Sequence, residues 1–167
     1  MKIKKGLNQF ENMTTLFAVA GDRSAKFFVA SSGEINQVAK VDEIVPKYDD
    51  NEGFFGGKKG GKNGRMGSPN HEVPKEYLLK KFAGMFEEKV EEVWAEDGAL
   101  PIYLFAPAFI HSLLIKALPK AMSKQIKMVI NGNHLHAKPF DLLEMIDKKI
   151  PKGAPVTNEK ARKLLKK

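Results

Sequence analysis

The sequence predicts a single α/β domain with a mixed sheet of about five strands and helices packed on the sheet. Two observations support this prediction. Short apolar segments separated by Gly, Asp and Ser come first along the chain, which is typical of antiparallel hairpins. Apolar runs of strand length then alternate with amphipathic segments, which favours parallel strands joined by helices. The length of 167 residues suits one domain with a buried core.

The first part of the predicted sheet is a three-stranded antiparallel meander. Residues 14–20 and 25–30 are compact apolar runs, and residues 34–45 alternate roughly between apolar and polar side chains. Gly21-Asp22 and Gly33 stand between these runs, and both residue types tolerate the backbone angles of tight turns. The pattern therefore predicts strands connected by short turns, the third of them bulged.

The second part of the sheet is predicted as alternating strands and helices. A helix is expected over residues 74–98, where apolar side chains recur at steps of three and four. Residues 102–106 form an unbroken apolar run, typical of a strand buried on both faces. A short helix between Pro107 and Pro119, a strand at 126–130 and a helix beginning at Pro139 complete the pattern.

The sequence divides into a core domain and three segments of different composition. We expect residues 1–12 to be a flexible N-terminus and residues 13–150 to form the α/β domain. Residues 53–67 hold seven of the fourteen glycines and predict a mobile Gly/Lys loop, because glycine loses much conformational entropy on ordering. Residues 151–167 contain six Lys and Arg and form a basic tail.

Composition excludes several classes of function. The chain has no cysteine, which excludes disulfides, thiol catalysis and zinc–thiolate sites. No apolar run is long enough to span a membrane, and the N-terminus lacks the apolar region of a signal peptide, so we expect a cytoplasmic protein without membrane insertion. The net charge of +8 attracts polyanions such as RNA, DNA and anionic lipids.

The Gly/Lys loop is the candidate binding site. Its cations can neutralise phosphates, its glycines allow the backbone to approach a phosphodiester closely, and its aromatic rings can stack on a base. The predicted RNA-contacting residues are Lys58, Lys59, Lys62, Arg65, Gly56, Gly57, Gly60, Gly61, Phe54 and Phe55. The alternative is a solvated, variable insertion with no binding role.

No catalytic, metal or cofactor site is predicted. Gly56, Gly61 and Lys62 have the spacing of a phosphate-binding P-loop, but Asn63 occupies the position at which a Ser or Thr would bind magnesium. His134 and His136 have the spacing of two ligands on one side of a strand, and no third ligand stands nearby in the sequence. No nucleophile motif is present.

Several segments resemble one bacterial family in their order along the chain. These are FAVAGDRSAKFF at 17–28, KKFAGMFEEKV at 80–90, LFAPAFIHSLLIKAL at 104–118 and the strand and helix at 130–145. The chain resembles proteins required for attachment to host cells, which are related to release-factor-like proteins of bacteria and archaea. The resemblance covers about residues 13–147 and implies a fold like the middle domain of eukaryotic and archaeal release factors and of Pelota.

The resemblance implies a ribosome-associated role, with rRNA or tRNA as partner, more than a catalytic activity. Release factors carry a Gly-Gly-Gln tripeptide in the loop before the long helix, whereas this chain has GGKKGGKNG there. The family's Asp-Leu-Thr is replaced by His134-Leu135-His136, and residues 110–114 lack the family's arginine. Two alternatives stay open: a hydrolase acting on peptidyl-tRNA or another ester through the loop, and a protein-interaction domain with an indirect role in attachment.

Overall fold

A computed structural model describes residues 1–42 and 74–150 of the chain. The predicted Gly/Lys loop and the basic tail lie outside these residues. The elements, in chain order, are β1 (Thr15–Ala20), β2 (Ser24–Ser31), β3 (Glu34–Asp42), α1 (Lys75–Asp97), β4 (Ile102–Ala106), α2 (Ala108–Ala117), α3 (Lys120–Ser123), β5 (Ile126–Asn131) and α4 (Pro139–Lys149).

The strands form one five-stranded mixed sheet in the order β3-β2-β1-β4-β5. β1 pairs antiparallel with β2, and β2 pairs antiparallel with β3. On its other side β1 pairs parallel with β4, and β4 pairs parallel with β5. The predicted α/β fold with a mixed five-stranded sheet is confirmed, and the β2–β3 ladder contains the predicted irregularity, at Phe27/Phe28.

The first face of the sheet packs against α1 and α2. Phe82, Phe86 and Val90 follow one another at helical spacing on α1 and are fully buried against the strands. Ile110 and Leu114 do the same on α2. This burial of large apolar side chains holds the two helices on the same face of the sheet.

The second face is covered by α4 and by the N-terminal segment. Leu142, Leu143 and Ile146 of α4 are buried there. Ile3 and Phe10 are each 6% exposed and join the same cluster, and the Ile3 amide donates to the Gly33 carbonyl over 2.7 Å. Residues 1–12 thus contribute side chains to the core, while their predicted flexibility stays a prediction.

The carboxyl ends of four strands and the starts of two helices lie at one edge of the sheet. β1, β4 and β5 are parallel, so their carboxyl ends lie at the same edge. β3 also ends there, because Asp42 pairs with Ser24 at the start of β2. We call this region the loop edge: the β1–β2 turn at 21–23, the end of β3 at Asp42, and the first turns of α1 and α2. Residues 43–73 connect β3 to α1 and therefore join the described fold at the loop edge.

Candidate nucleic-acid interface

A small pocket of about 140 Å³ lies at the loop edge. Three elements that are distant in sequence form it: the β1–β2 turn, the first turns of α1, and the start of α2. Its lining residues are Asp22, Arg23, Lys75, Leu78, Leu79 and Phe109. The volume is below the roughly 300 Å³ at which drug-sized ligand sites begin, so the pocket suits one small chemical group and not a whole cofactor.

The lining combines cations with apolar surface. Arg23 and Lys75 bring two positive charges to the rim, and Asp22 brings one negative charge. Leu78, Leu79 and Phe109 supply the apolar part, and the Phe109 side chain is 59% exposed. An exposed aromatic ring beside cations is the combination that binds an unstacked base and its phosphate.

Proline and the turn geometry place the lining residues. The Gly21 amide donates to the Ser24 carbonyl over 2.8 Å, which closes the turn that presents Arg23. Pro74 precedes α1, and its carbonyl accepts hydrogen bonds from the amides of Tyr77 and Leu78. Lys75 is thereby fixed as the first residue of α1.

α2 begins at the loop edge in the same way. Pro107 immediately precedes α2, and its carbonyl accepts hydrogen bonds from the Ile110 and His111 amides, each 3.1 Å long. Ile110 is fully buried, so it anchors this first turn to the core. Phe109, one position earlier, is consequently held outward at the pocket.

The segment after β5 packs against the β1–β2 turn and the start of β2 on the second face of the sheet. Lys26 Nζ donates to the Leu135 carbonyl over 2.9 Å, and this bond joins residues far apart in sequence. A Cβ added at Gly21 would lie 3.3 Å from Leu135 Cδ2 and 3.4 Å from Asn133 Oδ1. Gly21 therefore permits the close approach that holds the turn in place.

The two histidines after β5 differ in environment. The His134 ring packs edge-on against Phe105, with centroids 5.8 Å apart, and its Nε2 lies 3.3 Å from the Asn131 carbonyl oxygen. His136 is exposed. Within residues 1–42 and 74–150, no three His, Cys, Asp or Glu side chains are grouped so that they could hold a metal ion.

The residues predicted to contact RNA all lie between positions 54 and 65, outside the residues that the structure describes. Their role stays a prediction. Arg23, Lys75 and Phe109 were not predicted from the sequence, although each stands in a recognisable place. Arg23 follows a strand in a Gly-Asp turn, and Lys75 and Phe109 follow prolines that begin helices.

In the part of the chain that the structure describes, no helix combines the length and apolar character needed to cross a membrane.

No protein-family model and no curated protein matches the chain. Among solved structures, the chain is similar to the archaeal translation termination factor aRF1, with 11% identity and a TM-score of 0.48. This match covers 81% of the present chain and 39% of that one. A second structure, described as an archaeal protein, is 11% identical with a TM-score of 0.41, over 90% of this chain and 44% of its own. The chain thus spans less than half the length of each protein.

Proposed function

We propose that this chain is a non-catalytic RNA- or ribosome-associated domain of the release-factor-like and host-attachment group. In this proposal the Gly/Lys loop contacts phosphates, and rRNA or tRNA is the partner. The observation that carries it is the composition of the loop edge, where Arg23, Lys75 and the exposed Phe109 surround one small pocket.

The loop edge favours a nucleic acid over an anionic lipid surface because it offers contacts for both parts of a nucleotide. Guanidinium and ammonium groups bind phosphate, and this term dominates the affinity for nucleic acid. A partly exposed aromatic ring adds base stacking of about 1–3 kcal/mol, which anionic lipid headgroups do not use. Bases that are free to stack occur in single-stranded RNA, loops and bulges.

The two points at which residues 43–73 join the described fold favour one continuous interface. This segment leaves β3 at Asp42 and returns to α1 at Lys75, and Lys75 itself lines the pocket. The loop adds Lys58, Lys59, Lys62 and Arg65 to the cations of the described fold. Loop and pocket would then contact neighbouring nucleotides of a single strand.

Co-sedimentation with purified ribosomes at low and high salt tests the proposal. The wild-type protein is compared with a loop variant in which Lys58, Lys59, Lys62 and Arg65 are replaced by Ala. A control variant replaces four exposed lysines of α1 and α4 by Ala, at Lys80, Lys81, Lys148 and Lys149, and thus removes the same net charge. We expect salt-sensitive pelleting of the wild type and the control, and loss of pelleting by the loop variant.

Three other outcomes would each count against part of the proposal. Equal loss in both variants would mean that net charge alone drives binding. Unchanged pelleting of the loop variant would remove the loop from the interface. Absence of pelleting by the wild type at low salt would contradict the ribosome-associated role and favour a protein partner.

A further inference from the structure

Residues 98–140 contain five lysines and no Asp or Glu. Acidic residues make up 20 of the 167 positions, so a stretch of this length would hold about five if they were evenly spread. Four of these lysines follow one another along the chain, one each on α2, on α3, in the turn after α3 and on β5, and all four are exposed. We call this group the lysine ridge: Lys116, Lys120, Lys124 and Lys127.

The geometry places two of these charges next to each other. The Lys124 amide donates to the Lys120 carbonyl, so the two side chains are one helical turn apart on the same side. Lys127 is the extra residue of a β-bulge, since Ile126 pairs with Ile102 and Met128 pairs with Tyr103. Like charges at such spacing repel one another, and a bound polyanion would relieve that repulsion.

Carboxylates do not neutralise the lysine ridge within the described fold. The ion pairs formed among residues 1–42 and 74–150 are Lys40–Asp42 and Lys89–Glu92, both elsewhere. Lys127 alone can be explained as protection of an edge strand against pairing with another chain. That explanation does not extend to Lys116, Lys120 and Lys124, which lie on or beside helices.

We propose that the lysine ridge binds the phosphate backbone of double-helical RNA. The large apolar side chains exposed in the described fold are Met1, Met13, Val38, Tyr77 and Phe109. None belongs to α3 or β5, and Phe109 lies in the first turn of α2, about two helical turns before Lys116. A membrane surface would call for apolar side chains to insert beside the charges. Single-stranded RNA would call for an aromatic ring on which bases stack. A ridge of cations alone suits a duplex, which is recognised through its phosphates and shape.

The lysine ridge is separate from the loop edge, so this proposal goes beyond the proposed function. The loop edge takes unstacked bases, and the ridge takes a neighbouring stem. A ridge of this kind would orient the domain on folded RNA, because phosphate contacts fix position without reading sequence.

Binding of a labelled RNA duplex of about 16 base pairs, measured by fluorescence anisotropy against salt, tests the proposal. The ridge variant replaces Lys116, Lys120, Lys124 and Lys127 by Gln. The control replaces Lys80, Lys81, Lys148 and Lys149 by Gln, and removes the same charge from surfaces that also carry acidic residues. Circular dichroism and thermal unfolding confirm that both variants fold.

Between about 50 and 200 mM salt, the wild-type protein should lose affinity by a factor about 100 times larger than the factor lost by the ridge variant. Four phosphate contacts at a slope of about −0.9 each give this difference. The control should retain the wild-type slope. Equal slopes for ridge variant and control would overturn the proposal, as would lysine-ridge-dependent binding to phosphatidylserine vesicles without duplex binding.

The Ala variant of the four loop cations distinguishes this proposal from the proposed function. If the loop variant keeps duplex binding and the ridge variant loses it, the ridge proposal is supported, whether or not the loop binds RNA. Single-strand binding that the ridge variant keeps, with no duplex binding by the wild type, would overturn the ridge and leave the proposed function standing.

Discussion

Replacing Phe109 by Ala tests whether the loop edge stacks on RNA bases, and it should do so without unfolding the protein. Phe109 is 59% exposed and lines the pocket with Leu78 and Leu79. If its ring stacks on a base, its removal should weaken binding of single-stranded RNA by about 1–3 kcal/mol, or about 5- to 150-fold in Kd.

The cost to stability follows from the covered fraction of the same side chain. About two-fifths of a phenylalanine surface of roughly 200 Å² is about 80 Å², which contributes about 2 kcal/mol at about 25 cal/mol per Å². This value is an upper bound, because an unfolded chain already buries part of that surface. It is below the roughly 3–5 kcal/mol expected for truncation of a core phenylalanine.

Anisotropy with a labelled RNA strand of about 10 nucleotides measures the binding, and urea unfolding measures the stability. Phe109→Leu keeps apolar cover over the pocket but lacks an aromatic face, so it should bind as weakly as Phe109→Ala. Met13→Ala is the control, since Met13 is 43% exposed and precedes β1 at the opposite edge of the sheet. Wild-type affinity in the folded Phe109→Ala protein would refute the stacking role.

Four further predictions concern the fold. Phe86→Ala removes a fully buried ring from the first face and should lower the free energy of unfolding by about 3–5 kcal/mol, measured with urea. Burial, and then the charge of Asp147, raise the pKa of Tyr103 above 10.0. The stabilisation that this shift contributes is present below pH about 10 and is lost as the pH rises through the folded pKa. The melting temperature of Tyr103→Phe should therefore fall less than that of the wild type as the pH is raised above about 10. Gly132→Ala should lower the free energy of unfolding by about 1–3 kcal/mol, measured with urea, because φ at this position is +130° and the new Cβ would lie 2.7 Å from His134 Nε2. Gly84→Ala, with no atom within 4 Å of the new Cβ, should stabilise α1 by about 0.5–1 kcal/mol.

The secondary structure could be predicted from the sequence because its signals are local. The alternation of apolar residues, the helical spacing on α1 and the prolines before α1 and α2 each report on a few neighbouring positions. β4 was recognisable for the same reason, since residues 102–106 are apolar throughout.

The pocket could not be predicted, because it depends on long-range packing. Arg23, Lys75 and Phe109 meet only once the strand order and the side of the sheet taken by each helix are known. The burial of Ile3 and Phe10 was missed for a related reason. Ile3, Leu7 and Phe10 stand four and three residues apart, yet this segment forms no helix, and the burial of Ile3 and Phe10 depends on the space beside α4.

The central position of β1 has a consequence for how the chain folds. β1 joins an antiparallel half of the sheet, built from contacts between sequence neighbours, to a parallel half built from distant ones. Pairs such as Ala20 with Ala25 can form early, whereas Leu16 must wait for Ile102. We therefore expect the meander to form first, and β4 and β5 to be added to it in turn. Substitutions in the β1–β2 hairpin should therefore slow folding, and those in β5 should mainly speed unfolding.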